Sequence, residues 1–91
     1  MTIQITKKSV KLVQSKLYSI TLNMLYLDGA IEILNLDFTC KYRTGENVNN
    51  IIAKFQSKMQ AEIDNYKAEQ VIYNAATLDT AIATLKGNLT P

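Results

Sequence analysis

The chain of 91 residues has no histidine, no tryptophan, one cysteine (Cys40), one proline (Pro91) and three glycines. Each shortage removes a class of function. Without histidine, the Ser-His and Cys-His arrangements that activate a nucleophile are excluded. A lone thiol forms neither an internal disulfide nor a zinc site. Gly29, Gly45 and Gly87 are too far apart to build a phosphate-cradling loop. No segment approaches the ~18 continuous apolar residues of a membrane span, and the opening MTIQITKKSVKLV lacks the apolar core of a signal peptide. The expectations are therefore no cofactor, no metal, no small-molecule substrate and no membrane partner, in a protein made in a reducing cytoplasm.

Charge is equally uninformative about a large polyanionic partner. The formal net charge is +2. Residues 1–45 carry six basic and three acidic side chains, and residues 46–91 carry four and five, so the chain has a mildly basic first half. Lys7, Lys8 and Lys11, joined by Lys41 and Arg43, form the one candidate basic patch, with nucleic acid as its candidate ligand. Lysines at strand ends also discourage unwanted edge pairing, and near-neutral overall charge favours that reading. The carboxylates Glu62, Asp64 and Glu69 alternate with lysines in a helical pattern and read as ordinary surface charges, so no residue stands out as a general acid or base and the chain is read as a non-enzyme.

What is present is pattern. Ninety-one residues suit one domain, 1–91. A chain of this size buries a modest share of its surface, and oligomerisation is the supplement that composition leaves open. Residues 17–42, LYSITLNMLYLDGAIEILNLDFTCKY, alternate with a period of two on either side of Asp28-Gly29. Tyr18, Ile20, Leu22, Met24 and Tyr26 share one face, and Leu34, Leu36, Phe38, Cys40 and Tyr42 share another, which is the pattern of half-buried antiparallel strands. Both apolar sets fall on even numbers, so a two-residue Asp-Gly loop would set core positions against solvent positions. A three-residue loop with Gly29 left-handed pairs even with even and sets Leu22 against Leu34, Ile20 against Leu36 and Tyr18 against Phe38. The alternative is a two-residue turn with a bulge further along. Cys40 falls on the core face, where a structural role is expected.

Near the hairpin tip the odd positions are apolar as well. Leu25, Leu27, Ile31 and Ile33 are predicted to share a face that a single covering helix cannot reach; its cover is the N-terminal segment, the C-terminal segment or another subunit, and the four are the candidate protein interface. The same face turns polar and basic further down. Residues 2–6 alternate and are a candidate third strand, after which Lys7 to Val13 read as a connection.

Residues 46–73 form a helical pattern with the stripe Val48, Ile52, Phe55, Met59, Ile63 and Tyr66. Thr44 or Asn47 is the candidate cap and Glu46 suits the positive end of the helix dipole. At ~1.5 Å per residue the helix is about 40 Å long, close to the ~36 Å of an eleven-residue strand, so it is expected to lie along the hairpin. The stripe loses phase near residue 74. A break is expected around 74–77, then a second helix over 78–86 ended by a left-handed Gly87, with one uninterrupted helix as the competing reading.

The run YRTGENVNNIIAKFQSKMQAEIDNYKAEQ, followed by LDTAIATLKGNL, resembles the small virion and prophage structural proteins of tailed bacteriophages. That resemblance implies a structural component of a head, connector or tail, working by self-association, and it carries over no functional residues. The combined expectation is an α+β domain: an antiparallel hairpin on a long helix, with a short C-terminal helix. Its function is expected to be assembly with itself or with other structural subunits in a virion, and the alternative is a small regulatory or nucleic-acid-binding module.

Overall fold

Two tight turns and one cap organise the chain. The computed structural model describes all residues 1–91 as three strands, β1 (Thr2–Gln14), β2 (Leu17–Asp28) and β3 (Ile31–Arg43), followed by helices α1 (Val48–Tyr73) and α2 (Ala76–Asn88). The strands form one antiparallel sheet in the order β1-β2-β3. The class is α+β, with a hairpin packed on a helix. The chain divides into two compact units, Met1–Ala61 and Glu62–Pro91.

In the first unit, β1 is more than a short third strand. The segment from Lys7 to Val13, expected to be a connection, stays in the sheet to Gln14. Its alternation is broken by one residue, which is why it reads as irregular. Ile3 pairs with Tyr26, Ile5 with Met24 and Lys7 with Leu22; the register then shifts, and Ser9 pairs with Thr21, Val10 with Ile20 and Leu12 with Tyr18. Lys8 is the extra residue of a β-bulge, and a second shift skips Val13. The Lys8 bulge changes the parity, so odd Ile3 and Ile5 and even Val10 and Leu12 all stand on one face. The β1–β2 turn passes through Lys16 at φ 61°, and the carbonyl of Lys16 accepts from the Thr44 amide at 2.8 Å.

The β2–β3 turn corrects the expected pairing. Asp28 pairs with Ile31, so the loop is the two residues Gly29-Ala30, with Gly29 at φ 60°. Positive φ at the first loop position is what a type II′ turn requires, and glycine reaches it without strain. Leu27 pairs with Glu32 and Tyr26 with Leu34, leaving Ile33 as the bulged residue. That bulge restores the even-with-even pairing that the apolar pattern demands. The actual partners are Leu22 with Phe38, Ile20 with Cys40 and Tyr18 with Tyr42, each four residues along β3 from the expected partner. The two-residue turn with a later bulge is the arrangement formed.

After β3, Gly45 at φ 92° turns the chain. Asn47 caps α1, its Oδ1 accepting from the Asn49 amide at 2.9 Å. Glu46 lies before the helix and is held in the turn: its amide donates to the Arg43 carbonyl at 3.0 Å, its Oε2 accepts from the Arg43 amide at 3.2 Å and its carbonyl accepts from the Tyr42 hydroxyl at 3.1 Å. Thr44 does not cap.

In the first unit the core consists of Met24, Tyr26 and Cys40 from the sheet with Ile51, Phe55 and Met59 from α1. The expected stripe is corrected at its start: Val48 and Ile52 are exposed and Ile51 is buried. Buried positions recur every four residues, and Ile51, not Ile52, is one such step before Phe55. Adjacent residues stand ~100° apart around a helix, so only one of the two isoleucines can face the sheet. The Lys58 ammonium donates to the Thr39 carbonyl at 3.1 Å, tying α1 to β3.

The second unit contains the rest of α1 from Glu62, then α2. The last α1 bonds run from the Asn74 amide to the Gln70 carbonyl at 3.0 Å and from the Ala75 amide to the Ile72 carbonyl at 3.1 Å. Ala75 is extended and supplies no side-chain cap. The helices are therefore separate, as the loss of phase requires. Asp79 lies in the first turn of α2 and Lys86 in its last. Gly87 does not end the helix: it keeps negative φ and α2 runs to Asn88. None of the α2 residues is buried.

Candidate interaction surface

The sheet has two faces with different chemistry. The face toward α1 is apolar across all three strands, but the core beneath the helix draws only on β2 and β3. On β1 the same face carries Ile3, Ile5, Val10 and Leu12, which are 51%, 50%, 51% and 64% exposed. The sequence reading missed this row because its two halves have opposite parity; the parity switch at Lys7-Lys8 was the available signal. β1 is also an outer strand, 13 residues long, without proline and exposed throughout except for half-buried Ser9.

The opposite face is polar. Thr21 and Thr39, paired across β2 and β3, share a hydrogen bond of 2.9 Å. The Asn23 Nδ2 donates to Asn35 Oδ1 at 2.7 Å and to Asp37 Oδ1 at 2.9 Å, with a longer 3.4 Å approach to the Leu36 carbonyl. The Lys8 ammonium reaches over β2 to Asp37 Oδ2 at 3.1 Å. The hydrogen bond from Asn23, then the Lys8 ammonium, hold the Asp37 carboxyl below its ordinary value of 3.8. This ladder favours one register on a face that has no apolar pattern to do so. A short-range reading of the sequence does not find it, because its members come from three strands.

The predicted interface at the tip is only partly assembled. Leu25 and Leu27 lie on the polar-ladder side of β2 and are half-buried. Ile33, the bulged residue, is half-buried as well. Ile31 does not share the face of Leu25 and Leu27: it pairs with Asp28, on the register of the α1 side, and is 65% exposed. The bulge at Ile33 separates the four by shifting Ile31 one position relative to Leu34.

No family model, curated protein or solved structure matches the chain.

The predicted basic patch is split in the same way. Lys11 and Lys41 both pair with Ser19, so the two ammonium groups flank one position of β2 on the polar face. Arg43, which pairs with Leu17, stands on the same face at the next such position. Lys7 pairs with Leu22 and belongs to the opposite, apolar face, and Lys8 is engaged by Asp37. The five residues therefore comprise a three-residue cluster and two that stand apart from it.

Cys40 is buried and free, opposite Ile20 on the core face. No side-chain polar atom is buried without a partner, and no group of three His, Cys, Asp or Glu side chains is placed to hold a metal ion. No helix is long and apolar enough to cross a membrane.

Proposed function

We propose that this protein is a non-enzymatic assembly subunit that self-associates through the sheet surfaces that α1 leaves open. The observation that carries the reading is the β1 row: Ile3, Ile5, Val10 and Leu12 continue the core face of the sheet, yet each keeps half or more of its surface in solvent. A row of four large apolar side chains on an open edge strand is a liability for a protein that remains alone. In an assembly it is a contact surface. The tip residues Leu25 and Leu27, half-buried on the other face of β2, are a smaller and less open apolar contribution. The resemblance of residues 42–70 and 78–89 to structural proteins of tailed phages supports a virion or prophage setting, in which small subunits act by packing against copies or neighbours.

Light scattering coupled to size exclusion tests the reading over a wide concentration range. The expected result is a mass that rises with concentration and falls back in Leu25→Asp or Val10→Asp. A constant monomer mass, indifferent to both substitutions, would overturn self-association.

The cluster of Lys11, Lys41 and Arg43 on one face favours a second reading, a weak nucleic-acid contact. It expects salt-dependent retention on DNA or RNA that is lost when these three residues are changed to glutamate. No retention at low salt removes it.

A further inference from the structure

We propose that two copies of this chain pair edge to edge through β1, antiparallel, about a two-fold axis that passes between Lys7 and Lys8. The inference rests on the assembly reading and names its contact surface.

A two-fold antiparallel pair joins residues whose numbers have a constant sum, and each copy must present the same set to its partner. With a sum of fifteen, Ile3 meets Leu12 of the second copy and Ile5 meets Val10, so the apolar row maps onto itself. The polar side of the strand does the same: Gln4 meets Lys11 and Thr6 meets Ser9. In a regular strand this register would fail, since odd positions would meet even ones and lie on opposite faces. The bulge at Lys8 removes that conflict. Backbone amide direction alternates together with side-chain direction along a strand. Ile3, Ile5, Val10 and Leu12 share a face, so they also share hydrogen-bond direction, and one register satisfies both requirements.

The two-fold operation turns the second copy within the plane of the sheet. Both α1 helices then stay on one side, and the two apolar rows lie next to each other as the middle of a six-stranded sheet. The area is adequate. β1 holds 13 of the 91 residues, nearly all exposed, and a share of the 6872 Å² surface in proportion to residue number is roughly a seventh. Covering half of that on each copy removes on the order of 1,000 Å² in total, the lower end for a specific contact.

The charge at the axis works against the pair. Lys8 of each copy is turned to the polar face by Asp37, but the two Lys7 side chains meet on the apolar face. Like charges about 6 Å apart in water weaken association about threefold. Lys7→Gln, or screening by salt, should therefore strengthen it by about that factor.

The test is register-specific cross-linking of the full chain in a Cys40→Ala background. Mixing Ile5→Cys with Val10→Cys under mild oxidation should give a disulfide-linked pair, because these positions are directly opposite. Ile5→Cys alone, Val10→Cys alone and the tip variant Ile31→Cys alone should not link. Concentration-dependent mass of the unmodified protein, and hydrogen exchange of the β1 amides that slows as concentration rises, provide readouts that need no substitution. A concentration-dependent dimer with links at the tip, or with unprotected β1 amides, overturns the β1 pairing and leaves the assembly reading intact. A monomer at every concentration and salt overturns both. An association that Lys7→Gln weakens overturns the placement of the axis.

Discussion

The rotation of α1 about its own axis decides which isoleucine the fold depends on, and a pair of neighbouring substitutions measures it. Ile51 is 3% exposed and Ile52 is 53% exposed, although the two are chemically identical and adjacent. Ile51 stands four residues before Phe55, itself four before Met59, and all three are buried. Truncating a buried isoleucine to alanine removes its transfer free energy and leaves a cavity, which together cost ~2–5 kcal/mol. Ile51 lies one turn from the helix start, where the chain can relax toward the gap, so Ile51→Ala is expected near the middle of that range, at ~3 kcal/mol. Ile52 keeps half its surface in water and leaves no enclosed cavity; Ile52→Ala is expected to cost under ~1 kcal/mol, partly offset by the better helix propensity of alanine. Urea unfolding followed by circular dichroism reads both, with the midpoint moving and the slope unchanged if only the native state is affected. Equal losses, or a larger loss for Ile52→Ala, would show that the helix presents a different face and would refute the core described above.

Two further perturbations examine the turn and the polar ladder. Gly29→Ala introduces a side chain at φ 60°, with nothing within 4 Å of the new Cβ, so the cost is backbone strain alone, ~1 kcal/mol; a melting midpoint that does not fall would argue against the II′ turn. Asp37 has its pKa lowered by Asn23 and Lys8, so its stabilising contribution is complete above its ordinary value of 3.8 and is lost as pH falls through the lower folded value. Asn23→Ala and Lys8→Gln should each raise the Asp37 titration midpoint, as read by carboxyl NMR shifts, and a folded midpoint at or above 3.8 would refute the ladder.

The class and most element boundaries were legible because they depend on period. The even rows of β2 and β3, the helical stripe around Phe55 and Met59 and the loss of phase near residue 74 each follow from side-chain spacing within one element. The strand partners were not legible to the residue. Parity restricts the β2–β3 register only modulo two, and the four-residue difference between Leu22–Leu34 and Leu22–Phe38 is set by the turn at Gly29-Ala30 and the bulge at Ile33. Ile51 and Ile52 both satisfy helical spacing with Phe55, and only the packing of α1 on the sheet distinguishes them. Gly87 shows the reverse case: a residue that can end a helix need not, and α2 continues one residue beyond it. For the candidate surface, apolar content at the tip was visible, but its division between two faces was not, because a single bulged residue reverses the side of everything beyond it.

That reversal leaves a trace in the sequence. Along β1 the apolar residues change from odd to even between Ile5 and Val10, and along β3 they change from Ile31 and Ile33 to Leu34 and Leu36; a bulge lies at each change, at Lys8 and at Ile33. If the bulge at Lys8 exists to reconcile two apolar half-rows with one face, removing Lys8 itself should be mild. Residues 2–7 and 9–12 would keep their partners on β2, and the loss would be a solvent-exposed ion pair with Asp37, which contributes little to stability. Removing Thr21 from β2 is the control, since no bulge absorbs it: the remaining residues must slip, and either the Tyr18–Ile20 side or the Met24–Tyr26 side leaves the core face. Met24 and Tyr26 are both buried, so that deletion should cost several kcal/mol and abolish cooperative unfolding. Deletions of Lys8 and Thr21 that prove equally damaging would mean that the bulge does more than correct parity, and the reading of β1 as two half-rows joined on one face would fall.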